Sequence, residues 1–321
     1  MLVVDPIAPA GEAVLATRTE VVRSPDSDPA TIRRLAAECD GVVTRSKLPD
    51  DLFSSAPRIR AVAIHGTGTD LVPLASASER GVMVSSIPGG NAQSVAEYCV
   101  MAMLALARNL VGITSSLRQG TWDAARALGA GTHEIAGMTL GIVGVGEIGK
   151  RLARIAHHGF GMRVLGHQRR LERLPPEASA AALDELVAAA DFIVLACPLT
   201  AQTHHLFNRE RFARMKASAW LINVGRGAVV EEEALVGALR ERRIAGAMLD
   251  VYEHYRLSPG HPLLTLDNAV LTPHLAGMTI ESRSRISIAA AEDMLRMLAG
   301  EPPAHLVNPA AHPRIEGPGY I

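Results

Sequence analysis

Short apolar segments alternate with helical patterns along most of this 321-residue chain. In the first part, segments rich in Val and Ile lie at 2–4, 20–22, 41–46, 59–66 and 81–86. A second series lies at 138–144, 163–167, 191–197, 219–225, 245–252 and 269–274. Strands that alternate with helices form parallel sheets, and strands covered by helices on both faces are continuously apolar. The chain is therefore predicted to be an α/β protein with two doubly wound parallel sheets.

A long helical pattern over 91–110 separates the two series of strands, and a last helix is predicted over 281–300. The chain is long enough for two domains that each bury a substantial core. We expect residues 1–98 and 286–321 to form one domain, and residues 99–285 to form a second domain inserted in the first.

Charge and cysteine content argue against several kinds of partner. The net charge of −1 gives no reason to expect nucleic acid or an anionic membrane surface. The longest apolar segment, at 100–107, is too short to span a bilayer, and the N-terminus lacks a signal-peptide pattern. Cys39, Cys99 and Cys197 lie far apart, without metal-ligand spacing. We therefore expect a cytoplasmic protein with reduced thiols and no metal.

Three glycines follow the apolar segment at 138–144 and open a helical pattern. Gly144, Gly146 and Gly149 form a G-x-G-x-x-G sequence. In this context the first glycine permits a tight turn, the second lets the backbone approach a pyrophosphate, and the third allows close helix packing. The helix N-terminus would then bind the phosphates. The pattern predicts a dinucleotide site, although a glycine-rich turn without a ligand is the alternative.

The end of the next strand bears on which dinucleotide is used. An acidic residue there would bind the adenosine ribose hydroxyls and repel a 2′-phosphate. This chain has Gln168, Arg169 and Arg170 instead. Guanidinium groups pair with phosphate oxygens, so NADP(H) is the preferred cofactor and NAD(H) the alternative. An exposed basic turn without a role in binding is the competing interpretation.

Polar side chains end three later strands. Arg226 lies between two glycines after one strand, and Asp250 and His274 end the next two. Ligands bind outside the carboxyl ends of parallel strands, so all three are expected near one crevice. An Arg can bind a carboxylate and a His can transfer a proton, the two functions that reduction of a 2-oxo acid requires. Each residue taken alone is also compatible with a surface turn, a cap or a structural loop.

Several segments together resemble the D-isomer-specific 2-hydroxyacid dehydrogenase family. They lie at 65–72, 91–97, 138–149, 222–235, 245–253 and 271–277. The resemblance implies a Rossmann-type nucleotide-binding domain inserted in a flavodoxin-like substrate domain, and a homodimer built through the nucleotide-binding domains. It also implies that Arg226 holds the substrate carboxylate and carbonyl, that His274 is the acid/base, and that Asp250 lies near the nicotinamide carboxamide.

The resemblance also assigns residues around these groups. The loop of Gly66, Thr67 and Gly68 would line the substrate pocket from the other domain. Arg45 and Ser46 end a strand there, and either contact a distal anionic group of the substrate or are solvated. The cofactor site would further include Ser94, Glu147, Ile148, Cys197, Pro198, Thr203, Val224, Gly225, His274 and Gly277.

One position departs from the family pattern. In the family, a Glu orients the catalytic His, and this Glu lies five residues after the Asp that corresponds to Asp250. Here that position is Tyr255, followed by Arg256. Glu253 is too far along the strand to replace it, and a structural role is expected for it. A tyrosine can hydrogen-bond imidazole but supplies no charge near neutral pH. We expect His274 to transfer the proton with a lowered pKa; an adapted substrate pocket and weakened catalysis are the alternatives.

The sequence thus predicts an enzyme that reduces a small 2-oxo acid such as hydroxypyruvate or glyoxylate, or oxidises the D-2-hydroxy acid. A 3-phosphoglycerate dehydrogenase-like activity is the second possibility. A dinucleotide-sensing binding protein on the same fold is a third, because fold alone does not fix function.

Overall fold

The computed structural model describes residues 1–314 and divides the chain into two units. The first unit is Met1–Asn91 with the chain from Met278 onwards, and the second is Ala92–Gly277. The predicted boundaries at 98/99 and 285/286 fall inside two helices, α5 (Ala92–Ala107) and α12 (Ile280–Leu298), each of which belongs as a whole to one unit. Residues 315–321 of the predicted substrate domain lie outside the described residues.

The first unit is built on a five-stranded parallel sheet with the order β2-β1-β3-β4-β5. Its strands are β1 (Leu2–Val3), β2 (Val22–Arg23), β3 (Gly41–Thr44), β4 (Ala61–Ile64) and β5 (Met83–Ser85). Besides α12, its helices are α1 (Pro9–Ala16), α2 (Pro29–Ala36), α3 (Leu52–Ser55) and α4 (Leu74–Glu79). Helices α1 and α12 pack closely, because a Cβ on Gly11 would lie 2.5 Å from the Ser287 backbone.

The second unit is built on a seven-stranded parallel sheet with the order β12-β11-β10-β9-β6-β7-β8. Its strands are β6 (Thr139–Val143), β7 (Arg163–His167), β8 (Ala178–Ala180), β9 (Phe192–Leu195), β10 (Trp220–Asn223), β11 (Gly246–Leu249) and β12 (Ala269–Leu271). Besides α5, its α-helices are α6 (Leu110–Arg118), α7 (Trp122–Leu128), α8 (Glu147–Phe160), α9 (Leu183–Ala189), α10 (Arg209–Arg214) and α11 (Glu232–Arg240). The two parallel sheets confirm the predicted α/β class.

Short 3₁₀ turns complete the described chain, at Gly129–Gly131, Leu171–Arg173, Gly227–Val229, Pro262–Thr265 and Pro309–Arg314. Each apolar segment predicted as a strand overlaps a strand of the structure, and strands β6, β9, β10 and β11 are nearly or fully buried. This burial explains their continuous apolar sequence.

The long helix predicted over 91–110 is wrong in its length. Helix α5 ends at Ala107, and Asn109 adopts a left-handed conformation with φ of 45°. Asn tolerates this conformation, so the chain bends and continues as α6 and α7. Among the described residues no single helix is long and apolar enough to cross a membrane; α5 and α6 reach that length and composition only as a pair bent by 60°.

Candidate active site

The glycine loop lies at the point where the order of strands in the second unit reverses. From β6 the chain runs outwards through β7 and β8, and then returns to β9 on the other side of β6. A crevice forms outside the carboxyl ends of strands at such a point. Gly144 follows β6 with φ of +93°, and a Cβ on it would lie 2.6 Å from the Cys197 backbone nitrogen. The turn therefore accepts only glycine.

The other two glycines of this loop differ in their surroundings. A Cβ on Gly149 would lie 2.8 Å from the Gly144 carbonyl oxygen, so helix α8 is held close to the turn. No atom lies within 4 Å of the Cβ position of Gly146, which leaves its backbone open to a ligand. Helix α8 begins directly afterwards and directs free N–H groups at this opening. The open glycine backbone and the helix N-terminus are the two features that a phosphate-binding loop requires.

Glu147 and Ile148 form the first turn of α8. The Glu147 carboxylate accepts a hydrogen bond from Arg151 at 2.7 Å and lies 3.8 Å from Lys150 Nζ. The Arg151 hydrogen bond lowers the pKa of Glu147 and keeps it ionised. The two cations offset a charge that would otherwise repel a phosphate at the helix N-terminus. Ile148 is half-buried against the core.

The segment after β9 forms a tight loop across the crevice. Thr203 Oγ1 donates to the Pro198 carbonyl at 2.7 Å and accepts from the Thr200 N–H at 2.7 Å. Cys197 is buried at the start of the loop, and burial raises the pKa of its thiol to about 11, so it is a neutral packing group.

The segment after β10 packs directly on this loop. The Gly225 N–H donates to Asn223 Oδ1 at 3.1 Å, and a Cβ on Gly225 would lie 2.7 Å from the Cys197 carbonyl oxygen. Val224 is half-buried beside it. The cofactor-binding residues predicted in these two loops are therefore neighbours in the fold.

The basic turn after β7 is ordered by its own glutamine. Gln168 Nε2 donates to the Arg170 carbonyl at 2.7 Å. Arg169 and Arg170 are exposed, and within residues 1–314 neither guanidinium has an acidic partner. Two uncompensated cations thus lie at the end of the strand where a dinucleotide fold binds the adenosine ribose.

Arg226 follows β10 and is half-buried between two glycines. Its Nη1 donates to the Gly225 carbonyl at 3.0 Å, and Asn223 Nδ2 donates to the Arg226 carbonyl at 3.0 Å. A Cβ on Gly227 would overlap the backbone carbonyl of Tyr252. Direct backbone contact with the segment after β11 therefore fixes the turn that carries Arg226.

Asp250 braces the loop that carries His274. Its Oδ1 accepts from Thr272 Oγ1 at 2.6 Å and from the Leu275 N–H at 2.8 Å, and its Oδ2 accepts from the Ala276 N–H at 2.9 Å. The Asp250 carbonyl accepts from the His274 N–H at 2.8 Å. His274 has φ of +55°, a conformation that costs a non-glycine residue free energy. The buried carboxylate offsets that cost and places the imidazole.

The sequence did not indicate one residue that supports this brace. Tyr98 in α5 lies with its hydroxyl 2.6 Å from Thr272 Oγ1, which in turn donates to Asp250. Burial raises the pKa of Tyr98, so it remains a neutral hydrogen-bonding group. No local pattern marks a contact across 174 positions of the chain. Two predicted cofactor residues flank the same region: Ser94 is buried in α5, and Gly277 follows the His274 loop.

The Tyr255 ring lies against His274. The ring centroids are 6.1 Å apart with an edge-to-face angle of 68°, and Tyr255 is 72% exposed. Glu253 points elsewhere, because its Oε1 lies 2.7 Å from His205 Nε2. An open cleft of about 500 Å³ borders these rings and is lined by Tyr252, Tyr255, Arg256, Leu257, Leu264, Leu271, Thr272, Pro273 and His274.

In the first unit, Asp5 organises the strand end that carries two predicted substrate residues. Its Oδ2 accepts from the N–H groups of Arg45 at 2.7 Å and Ser46 at 2.9 Å, and its Oδ1 accepts from Ser46 Oγ at 2.6 Å. The Ser46 hydroxyl is therefore used within the loop. Sequence reasoning missed Asp5, although an acid directly after the first strand was a usable signal.

The loop of Gly66, Thr67 and Gly68 follows β4 in the same unit. The Gly66 carbonyl accepts from the Ile87 N–H at 2.8 Å, and Thr67 Oγ1 donates to the Ile87 carbonyl at 3.3 Å. No atom lies within 4 Å of the Cβ position of Gly66. Hydrogen bonds to Ile87 thus hold the loop in place, and the space beside the Gly66 backbone is free of protein atoms.

His65, directly before this loop, is buried with Nε2 2.7 Å from Ser287 Oγ. Burial, reinforced by the charge of Arg45, lowers the pKa of His65 to about 4. As pH falls below 6.5, His65 binds a proton in the unfolded chain but stays neutral in the folded unit. The free energy of unfolding therefore decreases towards pH 4. We expect His65→Gln to remove up to about 3 kcal/mol of this loss. Urea unfolding of the full chain at pH 4.5 and 7 measures the difference.

The matched control for this prediction is His305→Gln, at an exposed histidine of the same unit. It should keep the pH dependence of the parent chain. Equal pH dependence in His65→Gln and the parent would contradict the assignment of this acid sensitivity to His65.

Comparison with known proteins places this site in a family. Residues 100–276 match the model of the D-isomer-specific 2-hydroxyacid dehydrogenase NAD-binding domain. The chain belongs to this family. It is 38% identical over 306 residues to a glyoxylate reductase of Korarchaeum cryptofilum, covering 92% of this chain and 90% of the relative. It is therefore an oxidoreductase that binds a nicotinamide dinucleotide and acts on a small 2-oxo or 2-hydroxy acid.

Two solved structures show the same fold with different cofactors. The NADPH-dependent glyoxylate/hydroxypyruvate reductase of Sinorhizobium meliloti, in complex with NADP and malonate, has a TM-score of 0.83 at 30% identity and covers 97% of each chain. The NAD-dependent formate dehydrogenase of Staphylococcus aureus, in complex with NAD, has a TM-score of 0.82 at 28% identity and covers 94% of this chain and 96% of that chain. The fold therefore does not determine whether NADP or NAD is bound, and residues at the cofactor site must determine this preference.

Proposed function

We propose that this enzyme reduces glyoxylate or hydroxypyruvate, with NADPH as the preferred reductant. The observation that carries the proposal is the placement of Arg226, Asp250 and His274 after β10, β11 and β12, three neighbouring strands of the sheet whose strand β6 carries the open glycine loop. The relatives named glyoxylate reductase and glyoxylate/hydroxypyruvate reductase support the substrate class. Arg169 and Arg170, without an acidic residue at the strand end, support NADPH.

A bound nicotinamide dinucleotide would supply the hydride for reduction of the 2-oxo acid, and the protein provides binding and a proton. Arg226 binds the substrate carboxylate through its guanidinium, and its position after β10 orients the carbonyl. His274 donates its proton to the carbonyl oxygen as the C=O bond is reduced, which leaves a 2-hydroxy acid and a neutral imidazole. Asp250 acts through the loop, where it accepts hydrogen bonds from the backbone N–H groups of His274, Leu275 and Ala276.

A matrix of initial rates tests this proposal. NADPH and NADH are each combined with glyoxylate, hydroxypyruvate and 3-phosphohydroxypyruvate, and the first two acids with NADPH should give the highest kcat/KM. A preference for 3-phosphohydroxypyruvate would instead favour the 3-phosphoglycerate dehydrogenase-like activity, which stays a prediction. Absence of turnover with all three acids would contradict the proposed function.

Tyr255 favours one second candidate, a protein that senses the dinucleotide. A phenol and not a carboxylate lies beside His274, so proton transfer would be less efficient than with a carboxylate neighbour. A sensor would change the fluorescence of NADPH on binding but would reduce none of the three acids. The same preparation therefore distinguishes the two functions.

We also propose that the enzyme is a homodimer joined through an apolar patch on α5, α6 and α7, the α5–α7 patch. Several large apolar side chains there are exposed, and a groove of about 520 Å³ runs between α5 and α6. Exposed contiguous apolar surface of this kind marks an interaction site. The exposed side chains include Met101, Leu104, Leu110, Val111, Leu117 and Trp122.

Replacing Leu110 by Asp is expected to convert this dimer to a monomer. Leu110 is 57% exposed in the single chain, and each symmetric contact would lose about 1.5–3 kcal/mol of apolar burial and acquire a buried charge. Sedimentation velocity measures the change in mass. Ile280→Asp, at an apolar residue that is 85% exposed in the other unit, is the control and should leave the mass unchanged. A parent chain that sediments as a monomer would overturn the proposal.

A further inference from the structure

Two histidines, directly after Thr203, and a carboxylate converge in the second unit. One ligand atom from each of His204, His205 and Glu253 lies within 4.8 Å of the others. His205 Nε2 is 2.7 Å from Glu253 Oε1, and the imidazole rings of His204 and His205 are stacked with centroids 3.9 Å apart. The histidines come from the loop before α10, and the carboxylate follows β11, so the cluster joins segments 48 positions apart.

The backbone holds His205 in a costly conformation. Its φ is +49°, in the left-handed region that non-glycine residues avoid. The His205 N–H donates to the Ala228 carbonyl at 2.8 Å, and the His204 N–H donates to the Thr200 carbonyl at 2.9 Å. These bonds turn both consecutive side chains to one side, where regular extended backbone would alternate them. Strain of this kind is concentrated at functional sites.

The Glu253 carboxylate is fixed before any ligand binds. Its Oε2 accepts from the Glu232 N–H at 3.4 Å, and the Glu253 N–H donates to Glu232 Oε2 at 3.2 Å. Glu253 therefore offers a carboxylate oxygen in a defined place, supported by an outer hydrogen bond as ligands in metal sites commonly are.

We propose that His204, His205 and Glu253 bind a divalent transition-metal ion of the Zn²⁺ class, with water in the remaining positions. Two imidazole nitrogens and one carboxylate oxygen suit Zn²⁺, Co²⁺ and related ions. The ion takes the position between His205 and Glu253 that a hydrogen bond now spans. The His204 ring is exposed, so it can turn from its stack towards the ion without displacing packed atoms.

The prediction of no metal was based on cysteine spacing and could not detect this set. Consecutive histidines rarely bind the same metal ion unless the backbone turns both side chains to one side. Glu253 becomes their neighbour only in the folded chain. None of the three ligands is assigned to hydride or proton transfer, so the proposal does not depend on the proposed substrate.

A second pair of consecutive histidines in this chain can be compared with His204 and His205. His157 and His158 are also consecutive, and His158 Nε2 lies 3.3 Å from Glu177. Their rings meet at 78° with centroids 4.8 Å apart, and they lie on the regular helix α8. These three residues do not converge as the first set does. A surface His–Glu contact alone therefore does not produce the proposed geometry.

The test uses the full-length, tag-free protein after treatment with a chelator. Titration with ZnCl₂ in a calorimeter should show one ion per chain, and CoCl₂ should produce the visible absorption of a nitrogen- and oxygen-ligated ion. His204→Gln should weaken Zn²⁺ binding by at least about 10- to 100-fold, the loss that replacing an outer-shell partner already causes. The control His158→Gln should bind Zn²⁺ as the parent does. Because His204 is exposed, its replacement should not impair folding, which circular dichroism verifies.

Two results would overturn the site. One is the absence of stoichiometric Zn²⁺ and Co²⁺ binding by the parent chain. The other is equal loss of binding in His204→Gln and His158→Gln, which would show weak attachment to scattered surface histidines. Retained binding in His204→Gln together with loss in Glu253→Gln would also contradict the three-ligand set. Turnover of 2-oxo acids is measured separately, so failure of the metal site and failure of the proposed function are distinguishable.

Discussion

Replacement of His274 by Gln is expected to lower kcat for 2-oxo acid reduction by about 10²- to 10⁴-fold. Gln fills a similar volume and can donate a hydrogen bond, but it cannot transfer a proton to the carbonyl oxygen. Stopped-flow measurement of NADPH oxidation under single-turnover conditions isolates the chemical step from product release. The loss should therefore appear in the first turnover.

The structure gives a reason to expect an effect on chemistry and not on folding. The imidazole is exposed, whereas the loop is held by backbone bonds to the buried Asp250 carboxylate. The Leu275 and Ala276 N–H bonds to Asp250 do not involve the residue-274 side chain. Unfolding midpoints of His274→Gln and the parent should accordingly agree.

The variant Tyr255→Phe distinguishes the role of Tyr255 from that of His274, whose ring centroid lies 6.1 Å away. It removes the hydroxyl but keeps the aromatic contact with His274, so we expect kcat to fall much less than in His274→Gln. Equal losses in both variants would identify the Tyr255 hydroxyl as an essential part of proton transfer. Full activity in His274→Gln would show that another group supplies the proton and would contradict the assigned role.

The fold was largely predictable because its strands carry a strong local signal. Strands β9 and β10 are fully buried, and their continuous apolar sequence between polar turns follows from that burial. Strand β8 (Ala178–Ala180) was missed because Ala and Ser form no apolar or β-branched segment. The end of α5 was missed because Asn109 changes the chain direction through one left-handed residue, which hydrophobic periodicity does not register.

The sequence indicated those candidate site residues that follow strands of the parallel sheet. Arg226 and His274 follow strands, and in a parallel sheet strand ends meet at one edge. The residues that hold them in place gave no comparable signal: the Asp250 carboxylate reaches Leu275 and Ala276 25 and 26 positions later. Such bonds depend on the register of neighbouring strands, which the sequence of either strand alone does not specify.

The double replacement of Arg169 and Arg170 by Gln is expected to lower kcat/KM for NADPH by about 10²-fold or more while kcat/KM for NADH changes little. A hydrogen bond to a charged group contributes about 1.5–3 kcal/mol, and two such bonds to a 2′-phosphate account for this loss even after solvent screening. NADH lacks the 2′-phosphate, so it makes neither bond. Initial rates with each cofactor, at a saturating concentration of the 2-oxo acid, give the ratio.

Arg163→Gln is the matched control, because Arg163 is an exposed arginine at the opposite end of the same strand, β7. It changes the charge of the unit without touching the ribose end, so the ratio of the two cofactors should stay constant. A nonspecific effect of charge would lower NADPH efficiency in Arg163→Gln as well. Equal losses for NADPH and NADH in the double variant would show that the arginines support the fold of the turn, and the proposed cofactor preference would then be wrong.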